Sequence, residues 1–262
     1  MKKDNKNISS EQNYSEEQKK FAGLCAEDET ALPPESVGIG TYNEKRIHRI
    51  IKKFVCDDES CFEVKVGRYV ADVLKDGHIT EIQTAGFQSL TSKIGYYLES
   101  TDLHVTLIHP LIAQKRIVRA DKESGELLYA KTSPKHQKPS DALPELLYVA
   151  EFIGDPRLEI KFFMISADEY RYSEKIRYRK KGAYDNDIIP RELLSIELID
   201  ENAIRDLVTP SLRDGTHSAS DFGKALGMSG RRLYRALACL VKLNILEKIP
   251  AGKRSYKYRY VK

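Results

Sequence analysis

An Asp-Gly pair, Asp76-Gly77, separates two β-rich runs within the stretch RYVADVLKDGHITEIQT. Such a pair between two β-rich runs predicts a two-residue hairpin turn. A turn of that length fixes the register of both strands, because side chains alternate strictly between the two faces of a sheet. The sequence therefore predicts a hairpin over residues 69–75 and 78–84, with the cross-strand partners Val73–Thr80, Leu74–Ile79 and Lys75–His78.

The same register brings two acids together. It places Asp72 opposite Glu81 on one face, with Cβ atoms about 5 Å apart. Two carboxylates that close repel and raise each other's pKa, and a divalent cation between them removes the repulsion. Gln83, two residues after Glu81, points to the same face. An acid facing acid-x-polar on the next strand is the layout of a metal-dependent phosphodiesterase site.

The alternative for Asp72 and Glu81 is a solvated cross-strand pair on an exposed face. Their neighbours on that face are Val70, Leu74 and Ile79. These residues are apolar, so the face is expected to be covered. Covered carboxylates without a partner are costly, which favours the site over the solvated pair.

Composition narrows the class of protein. Of the 262 residues, 31% are charged and 41% hydrophobic, which is typical of a soluble globular chain that forms one large domain or two small ones. No apolar run approaches the ~20 residues that span a bilayer, and the N-terminus lacks the apolar segment of a secretory signal. The cysteines (Cys25, Cys56, Cys61 and Cys239) form no Cys-x-x-Cys pair, so we expect free thiols, no zinc and a reducing, cytoplasmic location.

Positive charge is concentrated near the C-terminus. The net charge is +4, but residues 227–262 hold ten Lys or Arg and one acid. That segment therefore carries +9 and the rest of the chain −5. A basic segment on a mildly acidic body predicts a polyanionic partner.

Patterning divides the chain into three regions. Residues 1–37 are polar, and we expect them to be a mostly disordered tail with a short helix near residues 16–24. Residues 38–200 predict, in order, a helix (41–54), three strands (62–66, 69–75 and 78–84), a helix (87–99), an apolar strand (104–111), a second hairpin (114–120 and 127–131), a helix (141–152) and a strand (158–166). This order is typical of an α+β core with a mixed sheet. Residues 171–187 are basic and predict an excursion over the surface.

Residues 201–262 predict a second domain, a winged helix-turn-helix. A helix begins near Ser218, and a Gly227-Met228-Ser229 turn follows. A longer helix over 229–243 carries leucines at helical spacing. Two short strands, 245–249 and 256–261, then form a basic hairpin. Helix, tight turn, helix and basic hairpin are the elements of a winged helix.

These segments resemble the PD-(D/E)xK nuclease superfamily, the restriction-endonuclease-like fold, joined to a C-terminal winged helix as in a similar bacterial family. The resemblance rests on three stretches: GTYNEKRIH, VADVLKDGHITEIQT and SASDFGKALGMSGRRLYRALACL. It implies a mixed sheet flanked by helices, with Mg²⁺ or Mn²⁺ as the cofactor. In that superfamily an Asp on the second strand and a Glu on the third bind the metal, and here these positions match Asp72 and Glu81.

The resemblance is less complete for the other catalytic positions. A Lys two residues after the Glu usually orients or activates the attacking water, and here Gln83 stands there. Glutamine can position a water but cannot stabilise a hydroxide by charge. Lys93 on the following helix is a candidate replacement. Glu44 matches a first-helix Glu near the metal, with an ordinary exposed acid as the alternative, and His48, one turn later, is expected to be structural or to contact phosphate.

Basic residues in three places are expected to hold nucleic acid. They are Arg231, Arg232 and Arg235 on the candidate recognition helix; Lys253, Arg254, Lys257 and Arg259 on or beside the wing; and Arg177, Arg179, Lys180 and Lys181 in the basic tract. A winged helix that binds protein is the alternative for the first two groups. A solvated, mobile loop is the alternative for the third.

Together these features predict a DNA-binding, Mg²⁺-dependent endonuclease that hydrolyses phosphodiester bonds. Asp72, Glu81 and Glu44 would hold the metal, and Gln83 would position the nucleophile. Double-stranded DNA is the expected partner, and a homodimer is a further expectation because many such nucleases dimerise. Two other classes stay open: a DNA-binding regulator without efficient chemistry, which Gln83 favours, and a protein-interaction module of a defence or mobile-element system.

Overall fold

The chain is a mixed α+β protein in which helices flank a central sheet. The computed structural model describes residues 5–30, 41–121, 126–173, 185–252 and 255–262. The helices are α1 (Asn5–Thr30), α2 (Thr41–Val55), α3 (Thr91–Ser100), α4 (Leu143–Leu146), α5 (Glu201–Asp206), α6 (Ala219–Leu226) and α7 (Gly230–Lys242). The strands are β1 (Phe62–Val66), β2 (Tyr69–Lys75), β3 (His78–Ile82), β4 (His104–Asp121), β5 (Leu127–Thr132), β6 (Leu158–Ser173), β7 (Asp185–Leu198), β8 (His217–Ser218), β9 (Leu246–Pro250) and β10 (Tyr256–Tyr260).

The central sheet is mixed, as predicted. Its strand order is β1-β2-β3-β4-β6-β7, and β5 pairs with the second half of β4, beyond the part that pairs with β3. The β3–β4 and β4–β6 pairs are parallel, and the other pairs of this sheet are antiparallel. Because β4 and β6 are long, the sheet continues beyond the β3 pairing as a part made of β5, β4, β6 and β7, which we call the sheet arm.

The predicted hairpin and its register are confirmed for three pairs. Val73 pairs with Thr80, Leu74 with Ile79 and Lys75 with His78. Asp76 and Gly77 have φ angles of 49° and 76°. A positive φ at both central residues is the requirement of a type I′ turn, which Asp and Gly tolerate better than most residues. The Asp-Gly pair therefore specifies the turn because both residues tolerate the backbone conformation that the turn requires.

Apolar side chains cover both faces of the sheet, because neighbouring residues of each strand point to opposite sides. Leu107 of β4 and Phe162 of β6 belong to a large core with α3 and α4. The next residues, Ile108 and Phe163, belong to a second core with α1 and α2. Every one of these four side chains is at most 2% exposed.

The N-terminal expectation is wrong over much of its length, because Asn5–Thr30 form a helix. Helix α1 packs against β7 and α2. Phe21 is fully buried and Cys25 is 3% exposed, and the ring of Phe21 meets the ring of Phe54 edge-on at 5.7 Å. Asp28 forms ion pairs with arginines of α2. A few well-placed contacts therefore dock a helix that is mostly polar.

Other boundaries shift for local reasons. Residues 104–121 form one strand, β4, so the predicted apolar strand and the first strand of the second hairpin are continuous. The predicted helix over 141–152 is reduced to α4 with a 3₁₀ turn on each side, and Pro144 lies in the first turn of α4, where proline is tolerated. The predicted excursion over 171–187 begins inside β6 and ends inside β7. Residues 174–184, between the two strands, lie outside the described part.

The C-terminal elements form a smaller sheet, β8-β10-β9, against α5, α6 and α7. Ser218 caps α6 and pairs with Asp221 in a capping box, the arrangement that Ser-x-x-Asp predicts. Helix α7 also packs against α4. Leu233 and Leu237 of α7 belong to the same buried core as Leu143, so this core is continuous across the predicted boundary at residue 200.

Two further findings concern the cysteines and the helices. All four cysteines are free, as predicted, and burial raises the pKa of Cys239 to about 12. Among the described residues, none of the helices combines the length and apolar character needed to cross a membrane.

Candidate functional site

Asp72 and Glu81 lie in a polar cluster between the hairpin and two helices. His48 of α2 contacts Asp72, while Lys93 and Tyr97 of α3 contact Glu81. We call these five residues the acid-pair cluster. These residues come from three segments: α2, the β2–β3 hairpin and α3. Helix α2 packs against β3, and α3 follows β3 after a short loop.

The Asp72 carboxylate accepts a hydrogen bond that a strand carbonyl would otherwise accept. Backbone pairing of β2 with β3 ends at Val73, and the N–H of Ile82 then donates to Oδ2 of Asp72 at 2.8 Å. The Nε2 atom of His48 lies 3.1 Å from the same oxygen. Among the described residues no hydrogen bond reaches Oδ1 of Asp72, so that oxygen can accept a further ligand.

Glu81 is 2% exposed, which makes it one of the most buried charged residues that the structure describes. The Nζ of Lys93 donates to its Oε2 at 2.5 Å, and the hydroxyl of Tyr97 donates to its Oε1 at 3.2 Å. Both oxygens therefore have donors. The predicted covered face is correct for Glu81 and for Ile79, which is fully buried, but Val70 is 45% exposed.

The pKa values of Asp72 and Glu81 shift in opposite directions from their ordinary values. Burial and the charge of Asp72 raise the pKa of Glu81 to about 7, although Lys93 and Tyr97 partly offset the rise. Burial alone would raise the pKa of Asp72, but hydrogen bonds from His48 and Ile82 and the charge of Lys93 outweigh it and keep that pKa below its ordinary value. The mutual rise that the hairpin predicted therefore occurs for Glu81 only. Near neutral pH Asp72 is therefore a carboxylate, while Glu81 is close to its own pKa and is only partly ionised.

Two other predicted catalytic residues fall outside this cluster or outside the description. The Nε2 of Gln83 donates to the carbonyl of Gly86 at 2.8 Å in the loop after β3, and its backbone carbonyl contacts Nδ1 of His109 at 2.5 Å. Gln83 thus stabilises a loop. Glu44 belongs to α2, but its side chain is outside the described part.

The acidic ligands that the cluster could offer a cation are few. In the described stretches of the chain, no three His, Cys, Asp or Glu side chains converge as a metal site, so the cluster offers two carboxylates. Mg²⁺ keeps several waters and is commonly held by one or two carboxylates plus substrate phosphate oxygens. Among the described residues, Oδ1 of Asp72 has no donor, whereas Lys93 and Tyr97 contact both oxygens of Glu81.

One comparison with known proteins places the chain. A family model described as a domain of unknown function (DUF8091) matches residues 45–200, more than half of the sequence. The chain belongs to this family. No curated protein and no solved structure matches it.

All five residues of the acid-pair cluster lie within the DUF8091 domain, since the match includes α2, the hairpin and α3. The match ends at residue 200, immediately before α5. The C-terminal elements α5–α7 and β8–β10 are therefore outside the DUF8091 match.

Several predicted nucleic-acid residues instead contact the DUF8091 domain or a neighbouring strand. Arg232 of α7 donates to Asp141 at 3.1 Å, and the guanidinium of Arg235 stacks 5.4 Å from the ring centre of Tyr148. Arg259 forms an ion pair with Glu247. Arg231 and Lys257 are exposed. The side chains of Lys253, Arg254, Arg177, Arg179, Lys180 and Lys181 lie outside the described residues.

Tyr97 was missed by sequence analysis. The sequence predicted only a helix over 87–99, yet the ring of Tyr97 is fully buried while its hydroxyl reaches Glu81. Burial and the neighbouring Glu81 raise the pKa of Tyr97, so it stays a hydrogen-bond donor. The spacing of Lys93 and Tyr97, four residues apart on one helix, was the available signal that both face the same point.

Replacing Glu81 by Gln is expected to stabilise the fold at alkaline pH. The folded-state pKa of about 7 lies above the ordinary value of 4.5, so the stability of the parent chain falls as pH rises from about 4.5 to about 7. Gln resembles the protonated acid. Glu81→Gln should match the parent at pH 5 and exceed it by roughly 2–3 kcal/mol at pH 8 in urea unfolding.

The matched control for this change is Glu99→Gln, an exposed glutamate on the same helix as Lys93. It should follow the parent at every pH. A constant difference between Glu81→Gln and the parent across pH 5 to 8 would contradict the raised pKa.

Proposed function

We propose that the chain is a Mg²⁺-dependent phosphodiesterase that cleaves DNA, with the acid-pair cluster as its active site. The observation that carries the proposal is the ion pair between Lys93 and Glu81 at 2.5 Å, beside Asp72. Two neighbouring acids with a lysine at one of them are the residue types that this hydrolysis needs. The lysine comes from α3, whereas the resemblance would put it at position 83.

Each residue of the cluster has a separate role in this proposal. Asp72 and Glu81 would hold the cation, and His48 and the N–H of Ile82 fix the orientation of the Asp72 carboxylate. Tyr97 fixes Glu81 through the other carboxylate oxygen, Oε1. A bound Mg²⁺ would offset the charge that builds on the phosphate and lower the pKa of its water. Lys93 then has its ammonium free to stabilise the attacking hydroxide or the phosphate oxygens.

The proposal also assigns a fold to the core and to the C-terminal elements. The sheet and flanking helices of residues 38–200 are proposed to be a PD-(D/E)xK-like nuclease core, and α6, α7, β9 and β10 a winged helix that docks double-stranded DNA. The order of elements supports both. The contacts of Arg232 and Arg235 with the core mean that DNA would meet Arg231 and Lys257 first.

A plasmid-nicking assay tests the activity. The purified chain is incubated with supercoiled plasmid in Mg²⁺ or Mn²⁺, and in EDTA. We expect nicking with either cation and none in EDTA. The variant Asp72→Asn, which removes one negative charge without changing shape, should lose nicking.

The hairpin supplies a matched control for that variant. Asp76→Asn makes the same chemical change four residues away, at an exposed turn position with φ of 49° that Asn also tolerates. It should nick like the parent. Equal activity of Asp72→Asn and Asp76→Asn would remove Asp72 from the mechanism, and an inactive parent in every divalent cation would refute the nuclease proposal.

The second candidate is a DNA-binding regulator without cleavage activity. The contact of Gln83 with Gly86 favours it, because the residue at the usual lysine position is engaged in stabilising a loop. DNA binding by an inactive parent, with strong salt dependence, is the outcome that would favour this candidate.

A further inference from the structure

Arg68 differs from most arginines that the structure describes. Most of the others bind carboxylates, including Arg49, Arg116, Arg157 and Arg205. Within the described residues, Arg68 forms no ion pair and no hydrogen bond, and its side chain is exposed. Its contacts are with two aromatic rings. An exposed guanidinium that has stacking partners but no acid retains its donors for a ligand.

Two tyrosines hold that guanidinium in place. The Cζ atom of Arg68 lies 5.1 Å from the ring centre of Tyr69 and 5.4 Å from that of Tyr96. The two rings are 5.4 Å apart and tilted by 59°. Stacking on aromatic faces orients a guanidinium and reduces the entropy that it loses on binding. The edge of Arg68, which carries its N–H donors, is left for an anion.

The turn between β1 and β2, which carries Arg68, leaves room for Tyr96 to pack against it. Gly67 and Arg68 join β1 to β2, where Val66 pairs with Tyr69. Gly67 has a φ of 60°, which places glycine at the first central position of a two-residue turn. A Cβ on Gly67 would lie 1.9 Å from the hydroxyl oxygen of Tyr96. Glycine thus lets Tyr96 lie close against the turn and support Arg68.

An unbroken set of aromatic contacts links Arg68 to the acid-pair cluster. The ring centre of Tyr69 is 6.1 Å from that of Tyr97, and Tyr96 is 6.3 Å from Tyr97. The hydroxyl of Tyr97 donates to Glu81. Arg68 therefore lies on the side of the cluster that α3 and the β1–β2 turn border.

We propose that Arg68, held by Tyr69 and Tyr96, binds a backbone phosphate of the nucleic acid of which another phosphodiester enters the acid-pair cluster. The inference rests on the proposed function and names a substrate contact for it. A planar guanidinium binds a phosphate through two parallel hydrogen bonds. A stacked base is the less suitable ligand, because Arg68 already covers the faces of both rings. The positive charge also offsets the repulsion that two acids exert on an incoming phosphate.

Binding of a fluorescein-labelled DNA duplex, followed by anisotropy, tests this contact separately from cleavage. Measurements in Ca²⁺ and in EDTA at several salt concentrations give both affinity and its salt slope. Arg68→Gln should weaken affinity about threefold to tenfold and reduce the slope of log K against log salt by about 0.9, the value for one lost phosphate contact. Arg68→Lys keeps the charge, so it should keep the slope while losing about twofold to threefold in affinity.

Arg205→Gln is the matched control, because Arg205 is an arginine that already pairs with an acid, Glu201. It should bind like the parent. Parent-like binding and slope in Arg68→Gln would overturn the proposal, and so would a parent that binds no nucleic acid. Binding that depends on Arg68 in a chain that never cleaves DNA would support this contact while refuting the nuclease activity.

Discussion

Replacing Lys93 by Met is expected to lower the rate of plasmid nicking about 100-fold to 1000-fold, the usual effect of removing one charged group that stabilises a transition state. Met has nearly the length of Lys and no charge. The Nζ of Lys93 is the cation that meets Glu81, so its loss removes the only lysine or arginine that the described structure places on that acid. The rate under saturating plasmid and Mn²⁺ is the quantity to compare.

Two controls make the Lys93 result specific. Lys115→Met removes a comparable, mostly buried pair with Glu169 in the sheet arm and should nick like the parent. Gln83→Ala should reduce nicking by less than about tenfold, because Gln83 holds a loop. If Gln83→Ala lowered the nicking rate more than Lys93→Met did, the assignment of Lys93 as the lysine of the active site would be wrong.

Replacing Phe21 by Ala is expected to lower the free energy of unfolding by about 3–5 kcal/mol, as for other fully buried phenylalanines. The ring is completely buried in the core between α1, α2 and the sheet. Its removal leaves a cavity next to Phe54, with which it makes an edge-on contact. Urea unfolding followed by circular dichroism measures the change.

Lys19→Ala on the same helix is the control for Phe21→Ala, since Lys19 is exposed and surface changes usually stay within about 0.5 kcal/mol. Near-equal stability of the two variants would show that α1 is not docked on the sheet. That outcome would restore the sequence-based expectation of a disordered tail.

The hairpin and the order of the central elements could be predicted because local chemistry determines them. Asp76 and Gly77 specify a turn by their tolerance of positive φ, and the turn then sets the register. The N-terminal helix could not be predicted with the same reliability, because its docking depends on a few residues. Phe21, Leu24 and Cys25 are helically spaced, but the core they enter is made by α2 and the sheet, which are distant in sequence.

The acid-pair cluster was predicted in part. The hairpin register brought Asp72 near Glu81, but the hydrogen bond from Ile82 to Asp72 replaces the backbone pairing expected there. Lys93 was named as a candidate, but the contact of Tyr97 with Glu81 was not predicted. Both residues belong to a different element, and the direction of a helix relative to a sheet is a tertiary property. The contacts of Arg232 with Asp141 and of Arg235 with Tyr148 could not be predicted for the same reason.

A crystal structure of the chain with Mn²⁺, using the anomalous signal of manganese, tests the central claim most directly. The account predicts one anomalous peak in contact with oxygens of both Asp72 and Glu81, with the Nζ of Lys93 displaced from Oε2 and the peak absent in Asp72→Asn. A well-ordered hairpin with no manganese between the two carboxylates at saturating Mn²⁺, or a peak that persists in Asp72→Asn, would contradict it.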